Sequence, residues 1–265
     1  MVKIFLKNIM TLFLMLFAGL ALLFFLLKSM SGELDPRYFS PSFDINRLEE
    51  IASWQKNDHS LPLQFLIWTK NSLSLNFGNS TSTGRLVIDS LATPLKHTVA
   101  LGFLALMWGM LIAIPTATLA ALKNNKFYDR LMTIIMVILY ALPAYWIGLF
   151  LLNIFSLRLG LFPSSQLFSI GAETRFLNTT ADYLHHLFLP SLTLGLSFSA
   201  YFHKYLRNKI IDLLDSEFII AARSRGLKKS TIFFRHLMPN LVLILLTLLS
   251  TITPTIFSGT VTVEV

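Results

Sequence analysis

There is no cysteine in this 265-residue chain, so a disulfide, a thiol nucleophile and a cysteine-based metal site are all excluded. Charge is scarce as well. Asp, Glu, Lys and Arg make up 14% of the residues, against roughly 25% in a soluble domain. The scarcity is uneven, because several long stretches hold no charged residue at all. Intramembrane enzymes need polar catalytic groups within their spans, and these runs offer Ser, Thr, Tyr and Asn153 but no Asp, Glu, Lys or Arg. No His-Glu-x-x-His is present, and no Gly-x-x-x-x-Gly-Lys-Ser/Thr phosphate loop. The chain therefore carries no nucleotide-hydrolysing motif of its own. The net charge of +8 does not point to nucleic acid, because the cations concentrate beside apolar runs, where they set topology.

What is present is a series of such runs, and 54% of the residues are hydrophobic. A membrane span needs about 20 apolar residues. Residues 9–27 form an uncharged run behind Lys3 and Lys7. The run is longer than the apolar core of a signal peptide, about 7–15 residues, so residues 1–30 read as an uncleaved first span. Residues 31–96 are polar and mixed, with a short amphipathic helix over Leu63–Leu73 and a turn at Asn76–Ser80. Residues 97–265 read as a core with spans at about 97–122, 131–157, 187–205 and 237–263. Residues 158–186 form a loop between the second and third of these. Pro143 predicts a kink, with Trp146 packed beside it. Adjacent His185 and His186 point about 100° apart on a helix and, lacking a third ligand, do not make a metal site. Leu206, Ile210 and Leu213 share one face of a helix that continues the 187–205 span past the membrane.

Loop charge fixes an orientation. Loop 123–130 holds three cations and one anion, and region 203–236 holds eight cations and three anions. Short basic loops face the cytoplasm, which puts the amino terminus there too.

The polar segment 206–236 is the unusual part. Glu217-Phe218-Ile-Ile-Ala221-Ala222-Arg223-Ser-Arg225-Gly226-Leu227 is too polar for a bilayer, yet lies between apolar runs. Two alanines suggest a small-residue face, and Gly226 is a natural helix stop because glycine accepts φ > 0. The pattern is helix, sharp turn, helix, held outside the membrane.

Ala221-Ala222, then Gly226 and a tail ending in Pro239, resembles the EAA signature of permease subunits of bacterial ABC importers. The motif's Glu position is occupied by Ile220, and its usual aliphatic near the end by His236. Glu217-Phe218 followed by Ala222-Arg223-Ser-Arg225-Gly226-Leu227 is similar to the dipeptide/oligopeptide/nickel branch, where the run is acidic-aromatic and then Ala-Arg-Ala-Lys-Gly-Leu. Other segments are similar to the same family: Gly32 to Pro36 to its Pro-Gly-Asp-Pro, Ala113-Ile-Pro115 to its Gly-Ile-Pro, Asp129-Arg130 to the end of its short basic loop, and His186 to Leu194 to its His-Leu-x-Leu-Pro-x-Leu-Thr-Leu. Arg207 matches an arginine usual there.

The resemblance implies an all-α membrane protein, a type I ABC importer transmembrane domain with a cytoplasmic coupling helix and a sizeable outer loop region. It implies that Glu217, Ala221, Ala222, Arg223, Arg225, Gly226 and Leu227 couple the permease to ATPases, while the substrate-contacting residues stay unassigned. Arg223 and Arg225 would pair with acidic ATPase residues, each pair worth about 0.2–1 kcal/mol if exposed. The implied partners are a second homologous permease subunit, two ATPase subunits, an extracytoplasmic substrate-binding protein and membrane lipid. No cofactor is expected on this chain, with ATP and Mg on the ATPases. The implied location is the bacterial inner membrane. Such permeases usually carry a sixth span, and Thr262-Val-Glu264-Val265 looks like the turn that precedes it, so that span is expected to be missing from this chain. The function implied is ATP-driven import of di- or oligopeptides, with nickel or a metal chelate as the alternative cargo. A stand-alone channel or an intramembrane enzyme are the remoter readings.

Overall fold

In a computed structural model, residues 2–30, 60–80, 85–169 and 176–264 are described. Their elements, in chain order, are α1 (Val2–Met30), α2 (Leu61–Leu73), α3 (Val87–Leu122), α4 (Phe127–Ala141), α5 (Ala144–Leu151), α6 (Phe176–Leu214), α7 (Glu217–Ser224), α8 (Lys229–Thr231) and α9 (Met238–Glu264). π-helical turns follow α5 (Leu152–Arg158) and join α8 to α9 (Ile232–Leu237). The chain divides into two compact units, Met1–Leu95 and Lys96–Val265. The Gly32–Pro36 segment, the rest of 31–59, and parts of the two long loops (81–84 and 170–175) lie outside the described residues.

In the first unit, α1 is a long apolar rod whose Leu, Met and Phe side chains are largely exposed. That is the surface lipid would cover. The amphipathic helix expected over Leu63–Leu73 is α2. It buries Phe65 against Phe17 and Phe24 of α1, with ring centroids 5.3 and 5.4 Å apart. Trp68 stands 5.5 Å from Phe24. The turn expected at Asn76–Ser80 closes through Gly78, at φ +73°, whose N–H donates to Asn76 Oδ1.

The second unit is built around α6, against which α4, α5 and α9 pack. Small residues set the approach of α3. Gly102, Ala105, Gly109, Ala113 and Ala117 recur every three or four positions and are buried, so they form one stripe. Side chains this small let two helix backbones come close. A Cβ placed on Gly195 of α6 would stand 2.5 Å from Trp108 Cβ and 3.1 Å from the Ala105 carbonyl oxygen. Lower on α6, Phe202, Leu206, Ile210 and Leu213 are buried with Leu241, Leu245, Leu248 and Ile252 of α9, which bears out the shared face expected for Leu206, Ile210 and Leu213. Lipid is as apolar as leucine, so cohesion between such helices comes from close packing and hydrogen bonds rather than from release of water.

Segment 131–157 bends where Pro143 predicts a kink: α4 and the following helical stretch meet at 103°. The cause is Pro143, which lacks an N–H and drives Leu142 into an extended conformation (φ −76°, ψ 133°). Trp146 is not packed beside this break. It is 58% exposed, and its Nε1–H donates to the Tyr145 hydroxyl at 2.9 Å.

The 187–205 segment differs in composition from the other expected spans. Among the described residues three helices are long and apolar enough to cross a membrane (Leu6–Ser29, Val87–Leu122 and Ile232–Pro254), or four if the bent pair is one span. The 187–205 segment of α6 is not among them, because it carries Ser191, Thr193, Ser197, Ser199 and His203. Its place at the centre of the unit explains that composition. Ser191, Thr193 and Ser199 are almost wholly buried, and their hydroxyls donate to carbonyls one turn back (Phe188, Leu189 and Leu196) at 2.7–3.0 Å. A helix wrapped by protein need not be apolar all round to lie at membrane depth.

Candidate functional site

The residues singled out in the polar segment lie together on α7 and its C-terminal cap. Asp215 and Ser216 break the long α6, and α7 begins with Ser216 in an extended conformation. Glu217 sits in the first turn and Arg223 in the last, signs that complement the helix dipole. The helix ends in a Schellman cap. Gly226 takes φ +73°, its N–H donates to the Arg223 carbonyl at 2.9 Å, and the Leu227 N–H reaches back to the Ala222 carbonyl at 3.3 Å. This is the helix stop expected at Gly226, and it needs a residue that adopts the left-handed region without strain.

One face of α7 rests on its own chain. Ile219 and Ala222 are buried with Ile232 of the following π-helical turn. Glu217, Ala221, Arg223, Arg225, Gly226 and Leu227 stay exposed. The two alanines therefore do not form one small face. Neighbours on a helix are about 100° apart, so Ala222 turns inward and Ala221 outward. Ile220, at the motif's Glu position, is exposed, as are Phe218 and Phe234. The end of the unit thus presents a mixed apolar and basic surface.

A second feature at this end was missed by the sequence reading, which noted Asp129 and Arg207 separately. Asp129, at the start of α4, is 2% exposed. Arg207 Nε and Nη2 donate to its two carboxylate oxygens at 2.5 and 2.6 Å. Arg207 Nη2 also donates to Asn124 Oδ1 at 3.1 Å, and the Asn125 N–H donates to Asp129 Oδ2 at 2.8 Å. Asp129 precedes the uncharged run 131–157, and the Arg207 hydrogen bond holds its carboxyl below the ordinary carboxylate range. This fork ties loop 123–130 to the part of α6 that leads into α7. No local signal pairs two residues 78 positions apart. Their opposite charges beside neighbouring apolar runs were the available hint.

His203, one turn before Arg207, is 2% exposed, and its Nδ1 lies 3.1 Å from Thr116 Oγ1 of α3. Thr116 Oγ1 already donates to the Ile112 carbonyl at 2.7 Å, so the imidazole Nδ1–H is the donor between them.

The opposite end of α6 carries the histidine pair. The two rings are 6.3 Å apart and nearly perpendicular. His185 Nε2 is 2.9 Å from the Leu161 carbonyl oxygen and His186 Nδ1 is 2.8 Å from that of Asp182. Each histidine fastens a different piece of backbone, and they converge on no common point. Asp182 accepts from Ser169 N–H and Oγ at 2.7 Å each, which lowers its pKa. Phe162 stacks on Phe188 at 4.5 Å. Loop 159–169 is thereby folded onto the start of α6.

A family model for the binding-protein-dependent transport system inner membrane component matches residues 113–265, which include α7, its cap, Asp129 and Arg207. Among curated proteins, the chain is 28% identical over 243 residues to the oligopeptide transport system permease protein AppB of Bacillus subtilis (strain 168), covering 91% of this chain and 75% of that protein. It is 26% identical over 258 residues to the glutathione transport system permease protein GsiC of Shigella flexneri serotype 5b (strain 8401), covering 97% and 80%. The GsiC protein of Escherichia coli (strain K12) matches with the same identity and coverage.

Proposed function

Because the chain belongs to the family of binding-protein-dependent transport system inner membrane components, an ABC importer permease family, we propose that it forms half of the translocation path for di- or oligopeptides. It is a multi-pass membrane protein and a transport subunit rather than an enzyme, and permeases of this kind work with an ATPase and a substrate-binding protein. The finer assembly is our reading. This chain pairs with a second homologous permease, two ATPases dock on the cytoplasmic side, and the binding protein delivers cargo outside. ATP and Mg are held by the ATPases. The amino terminus, loop 123–130 and α7 face the cytoplasm. Peptide cargo is favoured over nickel because the relatives above are named for oligopeptide and glutathione transport.

One observation carries the coupling role. The helix α7 rests Ile219 and Ala222 on its own chain and turns Glu217, Ala221, Arg223, Arg225, Gly226 and Leu227 outward. A short helix with one face seated and the other open suits a groove on a soluble partner. On ATP binding the ATPases close and carry α7 with them. The adjoining α6 is one continuous helix of 39 residues, about 58 Å long at 1.5 Å per residue. It carries the displacement into the spans, and the Asp129–Arg207 fork moves loop 123–130 with it.

The test is retention of the ATPase by the purified permease pair. Ala221→Asp is expected to lower retention at least tenfold without changing the melting of the permease. Ala222→Asp places a charge among Ile219 and Ile232 and is expected to lower both. Wild-type levels of bound ATPase in Ala221→Asp would overturn the docking face, and a wild-type permease that retains no ATPase would overturn the reading itself.

A further inference from the structure

The importer reading leaves open which side chains the cargo meets. One cleft in the second unit has the right chemistry. Tyr140 of α4, Ser197, Phe198 and Tyr201 of α6, and Thr251 and Ile252 of α9 surround an open volume of about 320 Å³.

Its depth matters. Asp129 and Arg207 mark one level near the end of the unit. Tyr140 lies eleven residues from Asp129 along α4, about 16 Å at 1.5 Å per residue. Tyr201 lies six residues from Arg207 along α6, about 9 Å. The hydrocarbon core is about 30 Å thick, so the cleft opens well inside it. Tyr140 is 67% exposed there. Lipid tails cannot hydrogen-bond a phenol at that depth, and tyrosine is otherwise favoured at the membrane surface. Ser197 and Thr251 donate to the Thr193 and Thr247 carbonyls of their own helices, so their oxygens face the cleft as acceptors, and the exposed Tyr140 phenol is the group that calls for an occupant that hydrogen-bonds.

Its lining selects among occupants. It contains no carboxylate, amine, guanidinium or imidazole. A bare divalent cation would find no anionic or imidazole ligand here, and a charged chain terminus no counter-ion. Three kinds of hydroxyl and three aromatic rings instead match peptide groups, whose N–H donates, whose C=O accepts and whose flanks are apolar. Neutral groups of this kind hold cargo weakly, which suits passage.

We propose that this cleft forms a water-filled wall of the translocation path, where the Tyr140, Tyr201, Ser197 and Thr251 hydroxyls exchange hydrogen bonds with the backbone of a passing peptide. The proposal rests on the importer reading.

The chain has no native cysteine, so single substitutions report cleanly. In the full complex in proteoliposomes, Tyr140→Cys, Ser197→Cys and Thr251→Cys are treated with a water-soluble methanethiosulfonate. The control is Leu243→Cys, at an exposed apolar position on α9. Cleft thiols are expected to react at least tenfold faster than the control. Rates equal to the control would overturn the proposal and mark the cleft as a lipid-facing or subunit-contact surface. The second arm measures ATP-driven uptake of tri-alanine. Tyr140→Phe/Tyr201→Phe keeps the rings and is expected to lower uptake per ATP hydrolysed about tenfold, while ATPase stimulation stays within twofold. Unchanged uptake in that variant would overturn the hydrogen-bonding role. A wild-type complex without ATP-driven tri-alanine uptake counts against peptide cargo, and one whose ATPase ignores the loaded binding protein sinks the importer reading; the thiol rates still judge the cleft.

Discussion

Replacing Gly226 isolates one term of the coupling argument. Gly226 sits at φ +73° with nothing within 4 Å of where a Cβ would stand, so a substitution meets no clash. What it adds is backbone strain. For an L-residue the left-handed conformation costs about 1–2 kcal/mol, with Asn more tolerant, and for a β-branched residue it is a true outlier. A loss of 1–2 kcal/mol lowers an equilibrium population about 5–30-fold. The state that loses is the capped end of α7, in which the Leu227 N–H reaches the Ala222 carbonyl. The membrane-embedded packing is remote from this strain. Binding-protein-stimulated ATP hydrolysis and peptide uptake, measured in the reconstituted complex, should therefore fall in the order Asn, Ala, Val. Gly226→Val should lose most of the stimulation, and Gly226→Asn should stay within about threefold of wild type. Thermal unfolding of the permease in detergent should shift by less than about 2 °C in all three. If Gly226→Val couples as well as wild type, the cap is irrelevant to coupling. If all three melt early, the strain is not confined to α7.

Two further outcomes follow from the helix contacts. Asp129→Asn leaves Arg207 without its carboxylate. Removing one partner of a buried pair costs about 3–5 kcal/mol, and Arg207 is one-fifth exposed, so the lower end, about 3 kcal/mol, should appear in the permease melting curve. The Asp129 carboxyl is held below its ordinary value of 3.8. Its contribution is therefore complete above that value and lost as pH falls through the lower, folded one. Wild type should lose this increment in acid, while Asp129→Asn should show a flatter profile; parallel profiles would refute the pairing. Gly195→Ala puts a methyl 2.5 Å from Trp108 Cβ. Overpacking of this kind costs about 1–3 kcal/mol; Trp108→Gly removes the Cβ that is struck, so Gly195→Ala/Trp108→Gly should lose less than the sum of the two single losses. Simple additivity would mean the helices do not touch there.

What the sequence alone settled about this chain was one-dimensional. The uncharged runs set where helices lie, because a bilayer tolerates few charges. Gly226 set where α7 stops, because its requirement is for one residue's backbone. The helical spacing of Leu206, Ile210 and Leu213 set which face of α6 is covered. The features that only the tertiary structure decided each need a second element. The bend at Pro143 became 103° where helices pack around α6. The polar content of 187–205 made sense once α6 proved to be the wrapped helix. Ala221 and Ala222 look equivalent until Ile232 claims one of them. Asp129 met Arg207, and Tyr140 met Tyr201 and Thr251 across a cleft. Local conformation follows from each residue's own sterics and polarity, whereas partners depend on where the remaining helices are.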